Sequence, residues 1–383
     1  MKKKYDVIIC GGSLAGSAAG VALARRGYSV AMLDRAAFPR KKLCGGLLTW
    51  KSSKLLETLF GESTDSLTEA GIINFASDRY AIRSYTATLA EGTLPKPFHF
   101  VDRELLDARL LRHAETLGAE IHQKTEVVSC DTKNGVVTTQ DNSTFEGTYI
   151  LGADGANSIV RRSFPNIDKA RFRKQMAPTI EITLDSKDFP RPVLYPELYV
   201  GPLETGYGWV FPNKNRVVVG ICGLRNDNIN FSDVFRKYLD FLKIKETAIP
   251  PSHGHPLPYG NYLTSPFHDR AMLAGDAGGF VEPLFGEGIF FAMCTGLYAG
   301  EALAEGLDKC TSPGPIYARR LHQQIMPELK GSDRLRWALF SAMKYTGPSS
   351  LKLFVNTAAP RLAEMVHGIR SYSWLRKKTW DFI

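Results

Sequence analysis

The chain has 383 residues, 44% apolar and 23% charged, which is enough for two or three domains with sizeable cores. Its six cysteines, Cys10, Cys44, Cys130, Cys222, Cys294 and Cys310, show no CxxC spacing, which argues against a disulfide framework or zinc ribbon and suits a reducing compartment. The formal charge is +9, yet the segment from Lys330 onward carries +7 of it, which predicts an anionic surface facing that tail.

In chain order, Lys2, Lys3 and Lys4 run straight into a strand-like segment with no cleavage site, so no signal peptide is expected. Tyr5 to Cys10 reads as a buried strand, Leu14 to Arg26 as an Ala-rich helix, and Ser29 to Leu33 as the next strand. Arg103 to Leu117 has helical apolar spacing, and Glu120 to Val128 follows as a strand. Residues 166 to 262 change character: prolines punctuate short alternating runs, Leu194–Val200, Trp209–Phe211 and Arg216–Cys222, which predict a β-rich second domain. Gly286 to Glu305 returns to helix. Its charge-free apolar part, near Phe290 to Gly300, is too short to span a bilayer. Ser332 to Ile383 reads as helical with a proline-interrupted middle.

The first strand leads into Gly11-Gly12-Ser13-Leu14-Ala15-Gly16, a G-x-G-x-x-G frame with Ser13 at the second glycine. Gly11 permits a tight turn and Gly16 a close approach of helix to strand. The helix N-terminus then offers N–H groups and a positive dipole end to a pyrophosphate. Asp34, with Arg35 beside it, ends the second strand, where an acid holds a ribose hydroxyl and disfavours a 2′-phosphate. A chance glycine-rich turn is the plain alternative, but strand, turn, helix, strand and acid fall in order. Gly11-x-Ser13-x-Ala15 lacks the last glycine of a nucleophile elbow, so no hydrolase is implied.

Spacing alone does not separate NAD from FAD. Three later segments, Lys42 to Leu48, Ala153 to Ser158 and Leu273 to Ala277, together resemble the hydroxylase branch of the glutathione-reductase-like flavoproteins. Closer still is the geranylgeranyl reductase family, whose K-x-C-G-G, V-D-R, Y-x-W-x-F-P and G-D-A…P-x-x-G-x-G-I segments stand here as Lys42–Gly46, Val101–Arg103, Tyr207–Pro212 and Gly275–Ile289. The resemblance spans roughly residues 5 to 305. It implies FAD contacts at Ala15, Asp34, Cys44, Gly45, Leu47, Arg103, Val127, Asp276, Gly288 and Ile289, beside Gly11, Ser13, Gly16 and Arg35 from the phosphate motif. Asp154 is counted with these because it supports the cofactor fold at the turn into Ala156–Arg162. The departures from the family pattern are Ser13 and Glu287.

The resemblance also implies the reaction, hydrogen added across isolated double bonds of a prenyl chain. Positive charge would then build on carbon, and aromatic faces stabilise it by about 0.5–2 kcal/mol each when desolvated. Tyr207, Trp209 and Phe211 alternate on one strand and share a face, which is either a flavin-side roof for an apolar chain or a core stripe. Cys44 is either a packing residue or a redox or proton-relay thiol. Glu287 is either a substrate-side acid or, as the default expectation, a solvated loop carboxylate, and His253 and His255 are expected to sit in a loop without a metal. In the tail, Trp337, Leu339, Phe340, Met343, Tyr345, Trp374 and Trp380 interleave with basic residues. This suits reversible docking on anionic lipid or plain packing on the catalytic domain; no nucleic-acid motif accompanies the charge.

The expected architecture is thus α/β, a Rossmann-like FAD-binding domain with a parallel sheet formed by 1–75, 100–165 and 265–310. A β-rich substrate domain comprises 76–99 and 166–264, and a basic helical region runs from 311 to 383. The expected activity is FAD-dependent saturation of an isoprenoid lipid by a cytoplasmic protein on the inner membrane surface, with NADPH or a ferredoxin-like carrier as electron donor. A flavin monooxygenase or halogenase, and a flavin- and lipid-binding factor without turnover, are the alternatives.

Overall fold

A strand without polar alternation belongs in a sheet covered on both faces. Lys4–Cys10 accordingly lies inside a parallel sheet between Val30–Leu33 and Thr144–Gly152, with Val7, Ile8 and Ile9 fully buried. The computed structural model describes residues 4–224, 230–345, 348–373, 376–378 and 380, without the side chains of 171, 343, 344 and 348–351; Trp374 and the Met343 side chain lie outside that description. Glu120–His122 extends one edge of the parallel sheet and Ala271–Leu273 the other. Helices Leu14–Ala24 and Ile289–Lys309 share one core against it. The segment expected as a single strand from Glu120 to Val128 is two. Lys124, at a φ of 56°, breaks the run, and Val127–Asp131 turns into an antiparallel hairpin with Val136–Thr139.

The second sheet has eight strands. From one edge it runs His253–Pro258, Met176–Asp185, Arg216–Gly223, Gly206–Pro212 and Glu197–Val200, then Ile73–Arg83, Thr88–Val101 and Leu47–Leu48. Neighbours are antiparallel except Glu197–Val200 on Ile73–Arg83. Period-two alternation gives it two different faces. Ile182, Val210, Val219 and Ile221 point to one side and pack on Phe235, Tyr238 and Leu239 of the helix Phe231–Phe241. Trp209 and Cys222 point to the other, toward the first domain.

Past residue 310, Met326–Tyr345 and Pro348–Val366 form two long helices, and Pro360 sits inside the second rather than ending it. Leu335 and Leu339 pack with Leu362 and Met365, while Val355, Ala359 and Ala363 cover Tyr80, Ile82 and Leu89 of the second sheet. Part of the basic tail therefore turns inward and packs on the rest of the protein, the second of the two readings given to it. Arg336 is 8% exposed, bonds Asp333 at 2.6 Å and lies over the Tyr259 ring, and Lys378 pairs with Glu328 at 3.1 Å. Among the described residues, no helix is long and apolar enough to cross a membrane.

Candidate functional site

The phosphate motif folds as its spacing demands. Gly11 has a φ of +105°, and a Cβ there would strike the Ala153 carbonyl oxygen, so only glycine fits between the two parallel strands. The Gly12 N–H donates to Asp34 Oδ2 at 2.8 Å and the Ala36 N–H to Oδ1 at 2.9 Å, which fixes the acid at the strand end. Ser13 is the N-cap of its helix but makes no capping bond. Its hydroxyl instead donates to Asp107 Oδ2 at 2.6 Å, so the first-turn N–H groups stay open where Ser13, Leu14 and Ala15 line a cavity. A second uncapped helix start, at Gly288 and Ile289, lines the same cavity.

Beneath Ser13 lies a buried charge pair. Arg103 donates to Asp107 through Nε at 2.8 Å and Nη2 at 3.1 Å, and Arg40 approaches the same carboxylate at 3.5 Å. Burial alone would push the Asp107 carboxyl up, but Arg103, Arg40 and Ser13 more than offset it and hold it below the usual carboxylate range. Burial likewise opposes the Arg103 charge, yet Asp107 and then Cys44 keep that guanidinium above its ordinary value.

The second sheet supplies the opposite wall in rows, because register partners on neighbouring strands stand side by side. One row runs His253, Glu181, Gly220, Trp209 and Leu198; the next runs His255, Thr179, Cys222 and Tyr207. Gly220 has no side chain, and the Trp209 indole lies over it; a Cβ there would meet the ring. Trp209 Nε1 is buried without a hydrogen-bond partner among the described residues and points toward Gly45. Phe211 presses on the same loop, 2.6 Å from where a Gly45 Cβ would be. The Tyr207 hydroxyl donates to the Phe285 carbonyl oxygen, and burial pushes its phenol well above the ordinary value. Glu181 is 8% exposed, its Oε1 accepts the Cys44 N–H at 3.0 Å, and burial raises its carboxyl to about 7.

The structure brings Ser13, Ala15, Cys44, Gly45, Leu47, Arg103, Tyr207, Trp209, Asp276, Gly288 and Ile289 to one cavity wall. Gly11, Gly16, Asp34, Arg35, Val127 and Asp154 are off it. Asp34 and Val127 lie near one another, since the Thr125 N–H donates to the Asp34 carbonyl at 2.8 Å. The Asp154 Oδ2 accepts the Ile159 and Val160 N–H groups and so shapes the turn there. Two expectations are corrected. Glu287 is a buried ion-pair partner, bonded to Lys51 Nζ at 2.6 Å and to Thr49 Oγ1 at 2.7 Å. His253 and His255 lie on a strand, with both residues at the cavity wall.

Sequence reasoning missed Glu181, Asp107, Lys51 and the residues Ala359, Leu362, Ala363 and Val366, which extend the cavity along the last long helix. The Arg103–Asp107 pair was detectable: it shares the buried helix face of Leu106, Leu110 and Ala114 at i, i+4 spacing. Glu181 was not, because alternation placed it opposite the Ile180–Ile182–Leu184 core, where a solvent face is the ordinary reading.

Comparison with known proteins bears on what fills this cavity. The FAD binding domain family matches residues 4–313. The geranylgeranyl diphosphate reductase of Rhodobacter capsulatus is 30% identical over 310 residues, covering 78% of this chain and 75% of its own. The solved geranylgeranyl bacteriochlorophyll reductase-like protein of Thermoplasma acidophilum superposes with a TM-score of 0.74 at 18% identity, over 98% of this chain and 94% of that one. A probable FAD-dependent monooxygenase from Pseudomonas aeruginosa does so at 0.68 and 19% identity, over 90% and 97%. At such identities the two solved structures speak for the fold alone. The two open helix starts, the Asp34 terminus and the orphaned Trp209 N–H suit a flavin dinucleotide.

Proposed function

Since the chain belongs to the geranylgeranyl reductase family of FAD-binding flavoproteins and is an FAD-dependent oxidoreductase, we propose that it saturates isolated double bonds of an isoprenoid lipid. The observation that carries this reading is the extent and polarity of the cavity. Besides Trp209 and Phe211 its lining includes Ile82, Leu94, Phe98, Leu198, Ala359 and Leu362, an apolar surface suited to a hydrocarbon chain.

FAD held here would supply hydride chemistry, with NADPH or a ferredoxin-like carrier as the proposed source of electrons. The protein's share is placement. Ser13, Leu14 and Ala15 would offer the pyrophosphate their helix start, Asp34 would hold the ribose, and Asp276, Gly288 and Ile289 would also hold the cofactor. Tyr207, Trp209 and Phe211 present aromatic faces to the alkene, where developing positive charge on carbon is stabilised by about 0.5–2 kcal/mol per ring. The helix Pro348–Val366 keeps water from the apolar surface.

The substrate comes from an anionic membrane surface. Trp337, Tyr345 and Leu353 are 75%, 80% and 70% exposed on the two tail helices, and Lys330, Arg334, Lys352 and Arg361 are exposed beside them in sequence. The test is oxygen dependence. Chemically reduced enzyme held without oxygen is expected to saturate geranylgeranyl lipid. An enzyme that modifies an aromatic compound only when oxygen is admitted, and leaves the lipid untouched, is a monooxygenase instead.

A further inference from the structure

A prenyl double bond needs a proton as well as a hydride, and of the acids lining the cavity, Glu181, Asp276 and Glu287, Glu181 is the one in the sheet row of Trp209. Glu181 stands in the sheet row next to Gly220, and the absent side chain there lets the Trp209 indole lie between acid and neighbouring strand. The acid and the aromatic face are therefore side by side on the cavity wall. Its Oε1 is held by the Cys44 N–H at 3.0 Å, so the carboxyl is fixed in orientation. The other charged or titratable groups lining that cavity are Lys42, Cys44, Tyr80, Arg103, Tyr207, His253, His255, Asp276 and Glu287, the last paired with Lys51. Arg103 is engaged by Asp107, and only the Cys44 N–H offsets the burial of Glu181.

We infer that Glu181 is the proton donor of the alkene reduction, a step that rests on the function proposed above. Its O–H bond breaks and the proton forms a C–H bond at the less substituted alkene carbon, using the π electron pair. The more substituted carbon accepts the hydride provided by reduced FAD, and Trp209 faces the charge between the two events. Glu181 is left as carboxylate and is reprotonated from water before the next turnover. A carboxyl raised to about 7 is suited to this, because it keeps a large protonated fraction near neutral pH yet gives up its proton readily.

The test uses FAD-loaded wild type, Glu181→Gln and Glu181→Asp, compared under anaerobic single turnover and by infrared difference spectroscopy. The wild type is expected to show a protonated-carboxyl band below neutral pH that fades as pH rises through about 7 and is absent in Glu181→Gln. Saturation is expected to fall on the same limb as pH rises and to drop about 10²-fold or more in Glu181→Gln, with partial recovery in Glu181→Asp. FAD retention should match the wild type, which separates proton donation from loss of fold. An active wild type with an equally active Glu181→Gln of unchanged pH profile overturns the assignment. A wild type that leaves prenyl lipid unsaturated overturns the reading it rests on as well.

Discussion

Gly45 shows how tightly single residues set this site. A methyl group there would sit 2.6 Å from the Phe211 ring, which is itself packed edge-on against Phe100. Gly45→Ala is therefore expected to cost about 1–3 kcal/mol of stability and to weaken FAD retention, read by thermal melting and by flavin released on dilution. Unaltered melting and retention would mean the loop yields freely. Glu181 makes a second prediction, about pH. Its folded value of about 7 lies above the ordinary value of 4.5, so from 4.5 upward the unfolded chain loses its proton while the folded one keeps it. Stability is then lost as pH rises across that window. Glu181→Gln should be more stable than wild type above pH 7, by up to about 3 kcal/mol, and no different below 4.5. Denaturant melts at the two ends of the window check both halves. The phosphate motif, the Asp34 terminus and the aromatic triplet were readable because each is local in sequence. Glu181 and Lys51 were not, since their roles arise from elements far apart in the chain.

At the scale of elements, the loop before the long helix Ile289–Lys309 is tied to the tail through Lys51. That side chain is 1% exposed, pairs with Glu287 and lies 5.0 Å and 5.1 Å from the centres of the Phe290 and Phe291 rings. The Lys51 N–H donates to the His367 carbonyl at 3.2 Å and the Trp50 N–H to His367 Nδ1 at 3.1 Å, so one turn of helix Trp50–Phe60 holds both partners. Burial and then Lys51 push His367 down to about 3, so the imidazole stays neutral and accepts that N–H at physiological pH. Lys51→Met leaves Glu287 buried without its cation and is expected to cost about 3–5 kcal/mol. The double change Lys51→Met with Glu287→Gln should recover much of that. If the single variant melts like wild type, the pair is not what joins loop to tail. The parallel sheet and its helices were legible from apolar runs and glycine placement. The split of Glu120–Val128 was not, because a single positive-φ lysine carries no signal in composition.

For the whole molecule, the charge asymmetry was visible in the sequence, but which cations face outward depends on packing. Lys378 and Arg336 serve internal contacts, so reversing them tests folding and not docking. Lys330→Glu with Arg334→Glu, and separately Trp337→Ser with Leu353→Ser, are expected to lower binding to vesicles rich in anionic lipid. The electrostatic share of binding, kept by the wild type and by the Trp337→Ser with Leu353→Ser variant, should fade with salt, screened over about 8 Å at physiological ionic strength. Equal binding of all variants to anionic and neutral vesicles would remove the membrane from the account. The reaction itself is tested most directly by one measurement: reduced, oxygen-free enzyme is mixed with geranylgeranyl lipid while flavin absorbance and product mass are followed together. The account predicts prompt flavin reoxidation with one double bond saturated per flavin. Flavin that stays reduced until oxygen is admitted, with the lipid unchanged, would contradict it.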